Sequence, residues 1–201
     1  MEGLRASGVS QPAVFMVLLA SILILMIRNW RWIVLALYLQ YLGAFLLMAL
    51  SWSVEMAAAK VISGWMAGAI LGVAISNTPG SWRQEGRSWL AGYLFRLTAA
   101  GLVILAVFSI APQVSDWLHG VSLPVCWGSL FLIGIGLLHL GLTDHPFRVI
   151  VGLLTVLSGF EILYAALESS VLVAALLAAV DLALALVGAY LVYAPSLEEA
   201  A

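Results

Sequence analysis

The sequence predicts an all-α integral membrane protein of about seven transmembrane helices, built as two parallel three-helix repeats joined by one extra helix. Three observations carry that expectation. Hydrophobic residues make up 64% of the 201 residues and charged residues only 9%, with a mean hydropathy of +1.13. A soluble domain of this length needs a charged surface to face water. Apolar runs long enough to cross about 30 Å of hydrocarbon as helices recur along the chain. The first three of these runs also match the last three in plan.

The runs fall at about 12–27, 32–51, 56–76, 89–111, 123–142, 147–167 and 170–193. The first begins near Pro12, is too long for the core of a signal peptide and lacks a small-residue cleavage site, so it is expected to stay in the mature protein. The third and seventh follow closely on their predecessors. All seven belong to a single membrane domain, 1–201, with a first three-helix unit at 12–76, a connecting helix at 89–111 and a second unit at 123–193.

Charges in the connections set the expected orientation. With the N-terminus outside, the inner connections hold Arg28, Arg31, Arg83, Arg87 and Arg148, and the outer ones hold Arg5, Glu55, Asp116 and Glu168. That is the positive-inside pattern, which puts the acidic tail, Glu198 and Glu199, in the cytoplasm. Trp30, Trp32, Trp52, Trp82, Trp89 and Trp117 fall at span ends, where amphipathic rings anchor at the interface. Trp65 and Trp127 lie deeper.

The repeat is visible by comparing "RWIVLALYLQYLGAFLL" from Arg31 with "RVIVGLLTVLSGFEILY" from Arg148, and "AAAKVISGWMAGAILGVAI" with "LAAVDLALALVGAYLV". Each unit has an arginine-bearing inner turn, a second span, an outer turn with Glu and an alanine-rich third span. An odd helix between the units returns the chain to the same face, which makes the repeat parallel.

Four charged residues lie inside spans: Lys60, Arg96, Glu161 and Asp181, with His139 as a fifth titratable group. A charge near a helix centre costs roughly 2.5–3.5 kcal/mol on an insertion scale, so these side chains should face protein or water. Asp181 is near mid-membrane and Glu161 in the outer half, whereas Lys60 and Arg96 are close enough to span ends to snorkel in part. The functional expectation for the carboxylates is a proton relay, and the alternative is a buried ion pair that specifies packing.

"GWMAGAILG" sets Gly64, Gly68 and Gly72 four residues apart, a face that allows close helix approach. No catalytic constellation is found. Ser158, Ser169 and Ser170 lack partners for nucleophilic catalysis, and His119 and His145 sit in connections. His139 has no second ligand one turn on, so no metal or other cofactor is expected. The net charge of -2 and pI near 5.8 offer no basic patch for nucleic acid, and the single Cys126 excludes both an intramolecular disulfide and a cysteine metal cluster.

"GFEILYAAL", followed one span later by "LAAVDLALAL", resembles the K subunit of respiratory complex I and the C subunit of multi-subunit sodium/proton antiporters. Those are three-span proteins with Gly-x-Glu in the second span and an acid in an alanine-rich third. The whole chain is more similar to the E component of the membrane arm of hydrogenase-4 and formate hydrogenlyase complexes, with Lys60 and Asp181 at the matching third-span positions. Ala44 stands where the second unit has Glu161, and Asp181 replaces the Glu of the K subunit, so the first unit has either a functional or a structural part.

The resemblance implies a non-redox subunit of a proton- or cation-translocating membrane complex in a prokaryotic-type cytoplasmic membrane, beside antiporter-like subunits and lipid. Glu161 and Asp181 would carry protons along the membrane plane, with Lys60 modulating them and Arg96 and His139 on the same polar path. Such a subunit is not catalytic alone; redox chemistry would belong to its partners. The alternative is a membrane scaffold whose buried charges only pair helices. A free-standing retinal-type receptor fits poorly, because the last span carries Asp181 and no lysine.

Overall fold

The computed structural model describes the backbone of residues 2–78, 89–118 and 120–198, and side chains over 8–78, 92–118 and 120–194. Trp82, Arg83, Arg87, His119 and Glu199 lie outside the described residues, as do the side chains of Arg5, Trp89 and Glu198. Among the described residues there are seven helices and no strand: α1 (Glu2–Met26), α2 (Trp30–Met48), α3 (Val54–Ser76), α4 (Trp89–Trp117), α5 (Leu123–Gly141), α6 (Pro146–Leu167) and α7 (Val171–Glu198). Each contains a stretch long and apolar enough to cross a membrane. The chain is therefore an all-α, multi-pass membrane protein.

Local chemistry explains several helix starts. The Asn29 side chain accepts from the Arg31 N–H at 3.0 Å to open α2, and Ser53 caps α3 with Glu55 in its first turn. Pro124 and Pro146 occupy the first turns of α5 and α6, where a missing N–H costs nothing. Pro12 and Pro112, by contrast, lie inside α1 and α4. Consequently α4 continues to Trp117 instead of stopping near 111. Ending a helix in an apolar medium strands several backbone groups, and that costs more than the one hydrogen bond a proline removes.

Within the first three helices α1 packs on α2 and α2 on α3; within the last three α5 packs on α6 and α6 on α7. Across the two sets α1 lies against α5, α2 against α6 and α3 against α7. Helix α4 packs chiefly on α5 and touches α1. The face bearing the α2–α3 and α6–α7 turns is called upper below. There the indole N–H of buried Trp52 donates to the Glu168 carbonyl at 2.8 Å, tying the two upper turns together. Trp52 thus joins protein to protein, whereas Trp32 and Trp117 point outward as interfacial rings should.

Besides a smaller cluster of Leu25, Met26, Ala100 and Ile135 between α1, α4 and α5, two apolar layers fill the bundle. The upper one contains Val17, Leu47, Phe131 and Ile162; the lower one contains Leu37, Leu71, Phe147 and Leu154. Lys60 falls between Ala57 of the upper layer and Ala67 of the lower, and Glu161 between Ala165 and Leu154. The charged level of the protein thus lies between the two layers.

The glycine face of α3 receives side chains of α2. A Cβ at Gly64 would run into the Tyr41 ring and one at Gly68 into the Tyr38 ring, while Gly72 has only Val34 at 3.9 Å. The closest backbone approach lies elsewhere, between α5 and α6: a Cβ on Gly159 would sit 2.6 Å from the Ser129 carbonyl oxygen and 2.9 Å from the Ile133 nitrogen. Main chain cannot swing aside, so Gly159→Ala is expected to cost about 1–3 kcal/mol by forcing the helices apart. Gly72→Ala, with space to spare, is expected to be neutral. Thermal unfolding of the two variants in detergent checks the contrast, and equal midpoints would contradict it.

Candidate functional site

Three of the charged residues singled out in the sequence meet at one point. Lys60 lies about 9 Å down α3 from its upper end, Glu161 about as far below the upper end of α6, and Asp181 about 15 Å into α7, at 1.5 Å rise per residue. The Lys60 Nζ forms ion pairs with Glu161 and with Asp181 Oδ2, the latter at 2.6 Å. Lys60 is 5% exposed, Glu161 1% and Asp181 0%, so solvent screens none of these charges. The trio binds three helices, α3, α6 and α7.

The neighbourhood is built to hold the ammonium. Ser63, three residues beyond Lys60 and on the same helix face, has its hydroxyl 3.2 Å from Asp181 Oδ2, to which it donates. The Tyr41 ring lies 4.9 Å from Nζ in a cation–π contact, and Gly64, one turn past Lys60, leaves the room for that ring. Gly64 therefore serves the site as well as the packing. A crevice of about 10 Å³ borders Lys60, Ser63 and Glu161, with Met48, Trp52, Met56 and Ala178 among its walls. That is about room for one water molecule. Its walls come from the upper ends of α2, α3 and α7, so it approaches the trio from above.

Charge arithmetic defines what the trio can do. Two carboxylates around one ammonium leave one negative charge in excess, in a place where an unbalanced charge is expensive. A proton on either acid balances it. Glu161 Oε1 and Asp181 Oδ1 are buried with no hydrogen-bond partner among the described residues, so each acid keeps one oxygen available for it.

Arg96 and His139 are not part of this cluster. Arg96 donates to the carbonyls of Leu25 at 3.1 Å and Leu142 at 3.4 Å, at the C-terminal ends of α1 and α5. A cation is favoured there by the helix dipoles, and the contact ties α4 to the lower ends of α1 and α5. His139 is 2% exposed and sits near the lower end of α5, within electrostatic reach of Arg96 and Arg148. Arg148 itself donates to the Ile27 carbonyl. From Arg148 to Glu161 is about 20 Å along α6, so the expected path residues divide into an upper acid–lysine group and a lower arginine–histidine group.

No family model matches this chain, and neither a curated protein nor a solved structure matches it significantly. The site therefore rests on its own geometry. Among the described residues no three His, Cys, Asp or Glu side chains converge as metal ligands would.

Several site residues carry little signal in the sequence. Ser63 and Tyr41 are ordinary within a span until their partners are known. Thr155 donates to Gln40 Oε1 at 3.2 Å, a pairing of two buried neutral groups across α2 and α6. The one usable sign was spacing: Thr155, Ser158 and Glu161 follow one another at three-residue steps.

Proposed function

We propose that this protein is a non-redox membrane subunit of a complex-I-like or hydrogenase-like ion-translocating complex, in which Glu161 and Asp181 take up and release protons and Lys60 modulates them. The observation that carries this reading is the buried trio with one carboxylate in excess. Such a cluster accepts a single proton without acquiring net charge, and a change in which acid pairs with Lys60 alters the proton affinity of the other. The likeness of "GFEILYAAL" and "LAAVDLALAL" to the K and C subunits supports the same reading, as do the paired units of three helices. The arginine-rich connections favour a prokaryotic-type cytoplasmic membrane with the N-terminus outside and the C-terminus in the cytoplasm. The partners in this reading are antiporter-like subunits.

A second reading is favoured by one feature of the same trio: it clamps α3 to α6 and α7, as a purely structural ion network would. In that reading the protein is a membrane scaffold. Purification of the tagged chain in mild detergent, followed by identification of what accompanies it, tests membership in a complex. Recovery with large antiporter-like subunits is the expected result; recovery as a lone monomer or homo-oligomer would contradict the proposal.

A further inference from the structure

Helices α1, α4 and α5 are joined differently in their lower and upper halves. Below, side chains close the junction: Leu25 and Met26 cluster with Ala100 and Ile135, and Ile22 and Val103 pack around them. Above, a pocket of about 190 Å³ lies between the same three helices. Its α1 wall includes Gln11, Phe15 and Leu18, spaced four and three residues apart on one helix face. Trp127 and Phe131 of α5 and Phe108 of α4 complete it, with the Phe108 ring in T-shaped contact with each of the other two at 5.7 Å between centroids.

The pocket opens toward the bilayer. Phe15 is 70% exposed and Phe108 50%, and both belong to stretches long and apolar enough to cross the membrane. Its polarity is graded with depth. Gln11 is exposed and lies about 5 Å below the top of the α1 span, and Trp127 about 6 Å below the top of α5, whereas Leu18, Phe131 and Phe108 lie about 12–15 Å down their helices. A carboxamide and an indole therefore stand near the level where a bilayer passes from headgroup to hydrocarbon, and apolar side chains line the level of the acyl chains. Apolar cavities of about 150 Å³ stay dry and take up apolar molecules, so water is a poor filling for this one. It is also smaller than the roughly 300 Å³ at which pockets for drug-sized ligands begin, which suits part of a slender chain better than a ring system.

We propose that this pocket holds one acyl chain of a phospholipid from the upper leaflet, whose ester carbonyl accepts a hydrogen bond from the Gln11 carboxamide at the mouth while the chain runs down against Leu18, Phe108 and Phe131. The lipid is a structural ligand. Helix α4 packs chiefly on α5, and its polar attachment to α1 is the Arg96 contact at the lower end. An acyl chain between Phe15 and Phe108 makes in the upper half the junction that Leu25, Met26 and Ala100 make in the lower. The inference is independent of the proposed function, since it concerns how α4 is held and not what the trio carries.

Native mass spectrometry of the full chain, released from mild detergent, reads the occupant. One phospholipid retained per wild-type chain is expected. Leu18→Trp, which fills the pocket from inside, is expected to lose it, and Phe108→Ala, which removes a half-exposed wall, to weaken retention about tenfold, the scale of one ring's apolar contact. Leu102→Ala, 68% exposed on α4 and outside the pocket, should retain lipid like the wild type. Stripping the wild type of lipid is expected to lower its thermal midpoint by about 5 °C, and palmitoyl-oleoyl phosphatidylethanolamine to restore it, as saturating one site does in a chain of this size. Phe108→Ala carries the test if Leu18→Trp does not fold. Equal retention by the wild type and both pocket variants would overturn the site, as would a wild-type chain that carries no lipid, and recovery of a different apolar molecule would overturn its assignment to a phospholipid.

Discussion

Replacing Lys60 with Met is expected to destabilise the folded protein by about 3–5 kcal/mol, the scale of removing one partner from a buried ion network. Met fills nearly the same volume, so the loss is electrostatic. Without the ammonium, Glu161 and Asp181 face each other in a site that is no more than 5% exposed at any of its three residues. Helix α3 loses its polar attachment to α6 and α7, and Tyr41 loses its cation. Thermal unfolding in detergent reads this directly; an unchanged midpoint would remove the clamp from the account. The triple variant Lys60→Met with Glu161→Gln and Asp181→Asn is expected to regain most of the stability, because neutral groups of similar shape leave no charge unbalanced. It separates the two readings of the site, since a scaffold would work again once stability returned and a proton carrier would not.

How much of this was legible in the sequence depends on the kind of interaction. The seven spans were, because crossing hydrocarbon fixes both the length and the composition of a helix, and six of the seven observed helices start within two residues of their expected places at 32, 56, 89, 123, 147 and 170. The exception, α1, begins ahead of Pro12 because the chain there stays helical through a residue that usually marks a start. Lys60, Glu161 and Asp181 stood out because a charge in an apolar run must have a reason. That Lys60 meets both acids, while Arg96 meets carbonyls of α1 and α5, was not legible, since these pairings span between 46 and 121 residues of chain.

Neutral groups were harder still. Ser158 and Thr155 satisfy themselves locally by donating to the Leu154 and Val151 carbonyls, as hydroxyls in helices commonly do, and so look innocuous in sequence. Likewise Gly64, Gly68 and Gly72 form a conspicuous pattern, yet the tightest backbone contact is at Gly159, inside the Gly-x-Glu motif. Which glycine meets main chain and which meets a ring is a property of the partner helix.

The central claim is that the excess carboxylate of the trio carries a proton. Asp181→Asn isolates it. The amide keeps an oxygen for Lys60 Nζ and Ser63, now 2.6 and 3.2 Å away, so assembly is expected to survive. Lys60 then has Glu161 as its single counter-charge, the trio is already neutral, and a further proton has no charge to balance. The decisive measurement is proton pumping by inverted membrane vesicles carrying the Asp181→Asn chain with the partner subunits proposed for it, alongside recovery of that proposed complex in detergent. An intact complex that no longer pumps is the expected result; pumping at the wild-type rate would contradict a proton-carrying role for the excess carboxylate.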